Sequence, residues 1–207
     1  MWALVEDNAI TKIINNPKAM VIGDTRHSKN IFSFRWTNEE REAIGIYEVV
    51  WDNTNKKEEK WYINTDVSYA FGNGKVTASY GSATAKPHAD ILYTAQDERD
   101  GLGTEGEVKS RGLKYEKIRQ IKKQAANELA NTDWYIVRKE DAGTAVPSAI
   151  TNHRAAVRTK CAEMETAITN ASNTAAIETL YTYVNTADEG DPVVMERPLG
   201  ELPTLEV

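Results

Sequence analysis

The chain has 207 residues and a formal charge of -6, with 41% hydrophobic and 27% charged residues. That length suits one large domain or two small ones. No run of about 18 apolar residues encodes a membrane helix, and the first residues, Met1 to Asp7, carry no secretory-signal pattern. The single cysteine, Cys161, excludes an internal disulfide and a multi-thiolate zinc site, and the acidic balance argues against generic nucleic-acid binding.

The chain changes character near residue 110: before it aromatic and β-branched residues alternate with polar ones, and after it alanine and charge at helical spacing dominate. Trp2–Val5 and Ala9–Ile14 around Glu6-Asp7-Asn8 predict a β-hairpin ended by Pro17. Met20–Ile22 and Ile31–Phe34 are short strand candidates, with a polar turn from Thr25 to Asn30 between them. Thr37 with Glu40 is a capping-box pattern opening a helix of two turns at most, closed by Gly45. Ile46–Trp51 is a strong strand, and Lys60–Asn64 is expected to return antiparallel after a long polar turn. Val67–Phe71 and Lys75–Tyr80 around Gly72-Asn73-Gly74 form the clearest hairpin, with Val67, Tyr69 and Phe71 on one face.

Glycine and acid dominate residues 95–112, which read as a linker. Leu113–Asn131 reads as a helix with Ile118, Ile121, Ala125 and Leu129 on its apolar stripe and Lys114, Lys117, Lys122 and Lys123 on other faces. The segment from Thr132 to Val137 breaks that period, and a polar loop, Lys139 to Val146, leads to Pro147. A long helix then runs to about Ala171, with Ile150, Val157, Met164 and Ala171 seven apart and Cys161 and Ile168 in a second row. Asn173 or Thr174 caps a third helix bearing Ile177, Leu180, Tyr181 and Val184.

The expected fold is therefore α+β: a β-rich antiparallel sheet domain over 1–94, an acidic linker over 95–112, a helical domain over 113–186 (a helical hairpin plus a third helix) and an extended acidic tail over 187–207.

Nothing in the chain assembles a reaction centre. His27, His88 and His153 lack ligand spacing, so no metal site is expected; His27 and His88 read as surface and His153 as a packing residue. Gly72-Asn73-Gly74-Lys75 is a hairpin turn rather than a phosphate loop, because a strand follows it. Gly101-Leu102-Gly103-Thr104-Glu105-Gly106 fits a dinucleotide fingerprint in letters but follows no strand and sits among carboxylates. Cys161 falls on an apolar helix face with no base to activate it, and Asp97, Glu98 and Asp100 are a solvated acidic run. The basic cluster Lys114, Lys117, Arg119, Lys122 and Lys123 is expected to answer acidic neighbours. The expectation is a protein without enzymatic activity, cofactor or metal.

Ile118-Arg119 opening a helix, Leu129-Ala130-Asn131-Thr132-Asp133-Trp134, then Pro147, then Arg154-Ala155-Ala156-Val157-Arg158 resembles the phage tail assembly chaperone and tail-fibre-assembly family. The stretch Trp36 to Val50, with its Glu-Glu-Arg-Glu-Ala-Ile-Gly-Ile-Tyr core, resembles the leading part of tail-associated proteins of marine T4-like phages and cyanophages. Together the two stretches cover about a third of the chain. The resemblance implies a tail, fibre or baseplate partner, no nucleic acid and no membrane insertion, and a place in the virion tail or in the host cytoplasm during assembly. Homo-oligomerisation is compatible with it.

On that basis Trp134 is a corner-locking residue and a partner contact, and Arg154 and Arg158, four apart, are further interface candidates on one helical face. The long β-rich half, and His153 where the family often has tyrosine, leave both a permanent virion component and a dissociable chaperone open. The alternative is a receptor- or glycan-binding module, with Trp51 and Trp61 as its contacts. Leu199, Leu202, Leu205 and Val207 are a candidate docking peptide.

Overall fold

The computed structural model describes residues 1–205; Val207, the last of the four docking-peptide residues, lies outside them. The chain forms an α+β fold divided into two units, Met1–Thr84 and Ala85–Val207.

The first unit is built on a curled five-stranded sheet in the order β2-β1-β5-β8-β7. Strands β1 (Trp2–Glu6) and β2 (Ala9–Ile14) form the first hairpin, turning at Asp7 and Asn8 with φ of 51° and 61°. Positive φ at both central residues matches the right-handed strand twist, and asparagine and aspartate tolerate it best after glycine. Strands β3 (Met20–Ile22) and β4 (Thr25–His27) make a separate small hairpin, followed by a 3-10 turn over Lys29–Phe32. His27 therefore lies on a strand rather than in a turn, its ring edge-on to Trp36 at 6.4 Å, and Ile31 begins no strand.

Helix α1 (Asn38–Glu42) carries the expected capping box: Glu40 N–H donates to Thr37 Oγ1 at 3.2 Å and Thr37 N–H to Glu40 Oε2 at 2.7 Å. Behind it, Arg41 is buried and donates through Nε to the Ile31 carbonyl at 2.8 Å, tying the 3-10 turn to the helix.

Gly45 then admits β5 (Ile46–Asp52). Its φ is +79°, and a Cβ there would stand 2.5 Å from the Val5 carbonyl oxygen, while Val5 N–H donates to the Gly45 carbonyl at 2.8 Å. Alanine at this position is expected to cost about 2–4 kcal/mol, from left-handed strain of about 1 kcal/mol or more plus the clash with backbone. A lowered urea midpoint with unchanged slope checks this; a Gly45→Ala chain as stable as the wild type would contradict it.

The two-residue strands β6 (Tyr62–Ile63) and β9 (Thr84–Ala85) flank the second hairpin, formed by β7 (Val67–Gly72) and β8 (Lys75–Tyr80). That hairpin turns at Asn73 and Gly74, also with positive φ, and pairs Phe71 with Val76. Its burial alternates along β7 as the spacing of Val67, Tyr69 and Phe71 requires.

All ladders of this sheet are antiparallel except one: β5 pairs with β8 in parallel, Val49 opposite Val76. Lys60–Asn64 does not return along β5, whose neighbours are β1 and β8. Alternation says which face a residue takes but is blind to strand direction. Inside the curl, Ala3, Val5, Val49, Val76 and Ala78 form one core, joined by Ile10 and Ile13 of β2 and by Tyr69 and Phe71 of β7. On the other face Leu4, Ile14, Ile31 and Ile46 form a second core, covered by Met20, Ile22, Phe32 and Trp36.

The second unit opens with β10 (Ile91–Leu92) and β11 (Val108–Ser110), an antiparallel pair carrying α2 (Ala95–Arg99) between its strands. Residues 95–112, which read as a linker, thus hold ordered structure. The reason is local polar bonding that composition hides. Thr94 and Asp97 form a capping box, and Lys109 donates to Asp97 Oδ1 at 2.6 Å.

The Lys109 ammonium, then the Thr94 N–H and hydroxyl, pull the Asp97 carboxyl down to about 2. A depressed acid contributes its stabilisation above its unfolded pKa near 4 and loses it as pH falls through the folded value. The α2 cap is therefore expected to persist to about pH 4 and to be lost between about pH 4 and 2. An NMR titration of Asp97 with a midpoint near 4 would contradict this.

The helices are α3 (Leu113–Ala130), α4 (Asp133–Ala142), α5 (Ser148–Asn170) and α6 (Thr174–Tyr181). Helix α5 packs along α3, and Ile150, Val157, Met164 and Ala171 are all buried, as their seven-residue spacing demands. Ile121, Met164 and Ile168 share a core with Leu199, against which Leu180, Tyr181 and Leu202 pack.

The C-terminal segment is accordingly not a free tail. Leu199 is buried and its N–H donates to the Leu180 carbonyl at 3.0 Å, while β12 (Val184–Asn185) pairs with β13 (Met195–Glu196). Proline and acid density suggested an extended tail, but one leucine inserted into a helical core outweighs them.

Candidate partner-binding site

Helix α4 occupies most of the segment that breaks the helical period and the first residues of the expected polar loop, Lys139 to Val146. It contains four consecutive apolar residues, Trp134 to Val137, and no buried one. Ten residues without a buried face form a marginal helix on their own, so its ends matter. At the C-terminus Gly143 adopts the left-handed conformation and its N–H donates to the Lys139 carbonyl at 2.9 Å.

The N-terminus is held by α5. Arg154, 7% exposed, directs Nη1 to the Leu129 carbonyl at 2.8 Å, to Thr132 Oγ1 at 2.7 Å and to Asp133 Oδ1 at 2.8 Å. The Thr132 hydroxyl itself donates to the Leu129 carbonyl at 2.9 Å, and Thr132 is fully buried. One guanidinium therefore meets a carbonyl at the end of α3 and the first carboxylate of α4 together. Beside it, His153 Nε2 lies 3.4 Å from Glu128 Oε1.

This corner corrects the part assigned to Trp134. Thr132 and Arg154 lock the turn, and Trp134 is 51% exposed, stacked on Tyr135 at 3.7 Å between centroids with the Arg138 guanidinium 5.0 Å away. The two arginines four apart also part company, because Arg154 turns into the corner while Arg158 is exposed. Arg158 borders a shallow groove between α3 and α5 with Ala125, Cys161 and Glu165, spanned by the Lys122–Glu165 ion pair at 2.8 Å. Burial, and secondarily the Glu165 carboxylate, push the Cys161 thiol up, away from reactive thiolate.

Most of the basic cluster on α3 is engaged within the second unit. Lys114 donates to the Thr169 carbonyl at 2.7 Å, Lys117 is buried with its ammonium 5.3 Å from the Tyr181 ring, Arg119 pairs with Glu116 at 2.9 Å and Lys122 with Glu165. Lys117 thus belongs to the packed side of α3, its stem covering apolar surface.

In the first unit the two candidate tryptophans separate. Trp61 is 1% exposed, whereas Trp51 is 41% exposed on β5 with Tyr80 at 6.2 Å; the Lys56 ammonium is 5.6 Å from the Tyr80 ring. Among the described residues no group of three or more His, Cys, Asp or Glu side chains stands where it could hold a metal ion, and no helix is long and apolar enough to cross a membrane. The missed features were the α4 helix and its arginine clamp; the adjacent Thr132-Asp133 pair, a common helix-opening signal, was the available cue.

Fold and site together define an α+β protein whose distinctive surface is a short aromatic helix clamped at its base. No family model, curated protein or solved structure matches the chain.

Proposed function

We propose that this chain is a bacteriophage tail-associated protein that works by protein–protein contact and carries no catalytic activity or cofactor. It serves either as a tail, baseplate or fibre-associated virion component or as a tail-fibre assembly chaperone. The observation that carries the contact reading is α4, with Trp134 and Val137, three apart, exposed on one face and Ile136 exposed round the helix from them, on a helix whose base is fixed by Arg154. Exposed apolar clusters on an anchored element are what partner subunits cover, and tryptophan and arginine dominate such interfaces. The tail assignment rests on the resemblance of residues 118–158 and 36–50.

Quantitative mass spectrometry on purified, nuclease-treated particles tests it. A copy number at a fixed small multiple of a known tail protein makes the chain a virion component. Abundance in lysate with none in particles makes it a chaperone in the host cytoplasm. Absence from both ends the phage reading.

A second reading, a receptor- or glycan-binding module, is favoured by one observation: the half-exposed Trp51–Tyr80 pair flanked by Lys56. Aromatic faces of this kind can stack on sugar rings. Screening the full chain against host-surface glycans, with Trp51→Ala as control, checks it; no bound glycan, or binding unchanged by the substitution, removes it.

A further inference from the structure

Charge is segregated along this chain in a way that its tail assignment does not require. Between residues 18 and 35 stand Lys18, Arg26, Lys29 and Arg35 against one acid, Asp24. All four cations are exposed, and none forms an ion pair with a carboxylate among the described residues. They sit on the β3–β4 hairpin and the 3-10 turn with its flanks, the lobe whose inner side chains Met20, Ile22, Ile31 and Phe32 cover one face of the sheet.

Its outer side carries exposed apolar groups. Val21 lies opposite Arg26 in the hairpin register, and Phe34 is 94% exposed. A phenyl ring left in water beside unpaired cations is the composition of a contact surface for something both acidic and apolar.

The second unit contains a segment of that chemistry. From Thr182 to Glu196 there are four acids, Asp188, Glu189, Asp191 and Glu196, and no lysine or arginine. These acids are exposed and none forms an ion pair among the described residues. On the same β12–β13 hairpin Tyr183, Val184, Val193, Val194 and Met195 are exposed. The two surfaces match in charge and in exposed apolar character, and every copy of the chain brings both at equal concentration.

We infer that the chain self-associates head to tail, the basic lobe of 18–35 in one copy docking on the acidic β12–β13 hairpin of another. Such a contact is heterologous: it uses two different surfaces, so it propagates into a ring or an open row instead of closing as a twofold dimer. Opposite charges set its register and speed encounter, and Phe34 supplies the apolar anchor. The inference stands on charge and exposure alone and does not depend on the tail reading.

Sedimentation velocity on the full chain at about 50 mM salt, where charges reach beyond 10 Å, tests it. The expected result is concentration-dependent association that weakens at least about tenfold at 0.5 M salt. The lobe reversal Arg26→Glu with Arg35→Glu and the hairpin reversal Asp188→Lys with Glu189→Lys and Asp191→Lys are each expected to sediment as monomers with unchanged circular dichroism. An equimolar mixture of the two regains association, because each reversed surface then meets an opposite charge on the other chain. Phe34→Ser is expected to weaken association about tenfold or more without altering its salt dependence.

A wild-type chain that stays monomeric to several hundred micromolar overturns the inference. So do reversals that associate like the wild type, which place the contact elsewhere, and a mixture that stays monomeric, which assigns the attraction to surfaces within one chain. Binding of the lobe to anionic vesicles or to a DNA oligonucleotide without self-association likewise overturns it.

Discussion

Substituting Arg154 by alanine is expected to destabilise the second unit by about 2–4 kcal/mol, since charge-assisted hydrogen bonds contribute about 1.5–3 kcal/mol each but are not additive. The guanidinium is nearly buried and meets the Leu129 carbonyl, the Thr132 hydroxyl and the Asp133 carboxylate. Its removal takes the charged donor from the Leu129 carbonyl, which keeps the Thr132 N–H and hydroxyl, and leaves a void at the α3–α4 turn. Part of the gain is already offset, because Arg154 Nε is buried without a hydrogen-bond partner among the described residues.

The effect reaches beyond global stability. Helix α4 buries no side chain, so loosening its base is expected to open it before the rest of the unit unfolds. Trypsin cutting after Arg138 and Lys139 should then accelerate at denaturant concentrations where α3 and α5 remain folded. Arg154→Lys keeps the charge but loses the planar fork and is expected to recover only part of the loss. Arg158→Ala, at an exposed position on the same helix, is expected to stay within about 0.5 kcal/mol of wild type. Equal urea midpoints for the two alanine variants would refute the clamp.

Trp61→Ala is expected to cost about 3–5 kcal/mol, the range for deleting a buried aromatic ring. Trp61 is the largest fully buried side chain among the described residues, and the Lys60 ammonium lies 4.6 Å from its ring. The loss should show as a lowered urea midpoint for the first unit, with α3 to α6 unaffected. Trp51→Ala, although it deletes the same ring from β5, is expected to cost less than about 1 kcal/mol because that ring is already half in water. Any binding test of the β-rich unit therefore needs Trp51; a Trp61 variant would lose binding through unfolding. Similar costs for the two substitutions would mean that exposure does not separate their roles.

Much of the framework was legible beforehand. The Asn73-Gly74 and Asp7-Asn8 turns, the Thr37–Glu40 capping box and the seven-residue row from Ile150 to Ala171 each encode their structure within a few residues, and each appears where its pattern puts it. The candidate site was only half legible. Its residues were named, but their parts were exchanged: Trp134, the large ring, faces solvent, and Arg154, the charged group, is buried. Composition favours the opposite arrangement. The reversal arises because the α3–α4 corner gathers the Leu129 carbonyl, the Thr132 hydroxyl and the Asp133 carboxylate around one point, which a guanidinium from α5, 25 residues beyond Leu129 in sequence, can meet together.

Local patterning, then, was enough to establish an α+β chain with a hairpin-built sheet first and amphipathic helices after it, because turn chemistry and hydrophobic period act over a few residues. Tertiary structure alone decided the rest: that β8 runs parallel to β5, that residues 95–112 fold around Thr94, Asp97 and Lys109, that α4 exists without a buried face, and that Leu199 draws the C-terminal segment into the helical core. Each of those outcomes depends on a partner far along the chain or on a polar bond competing with solvent. Neither leaves a periodic trace in the order of the residues.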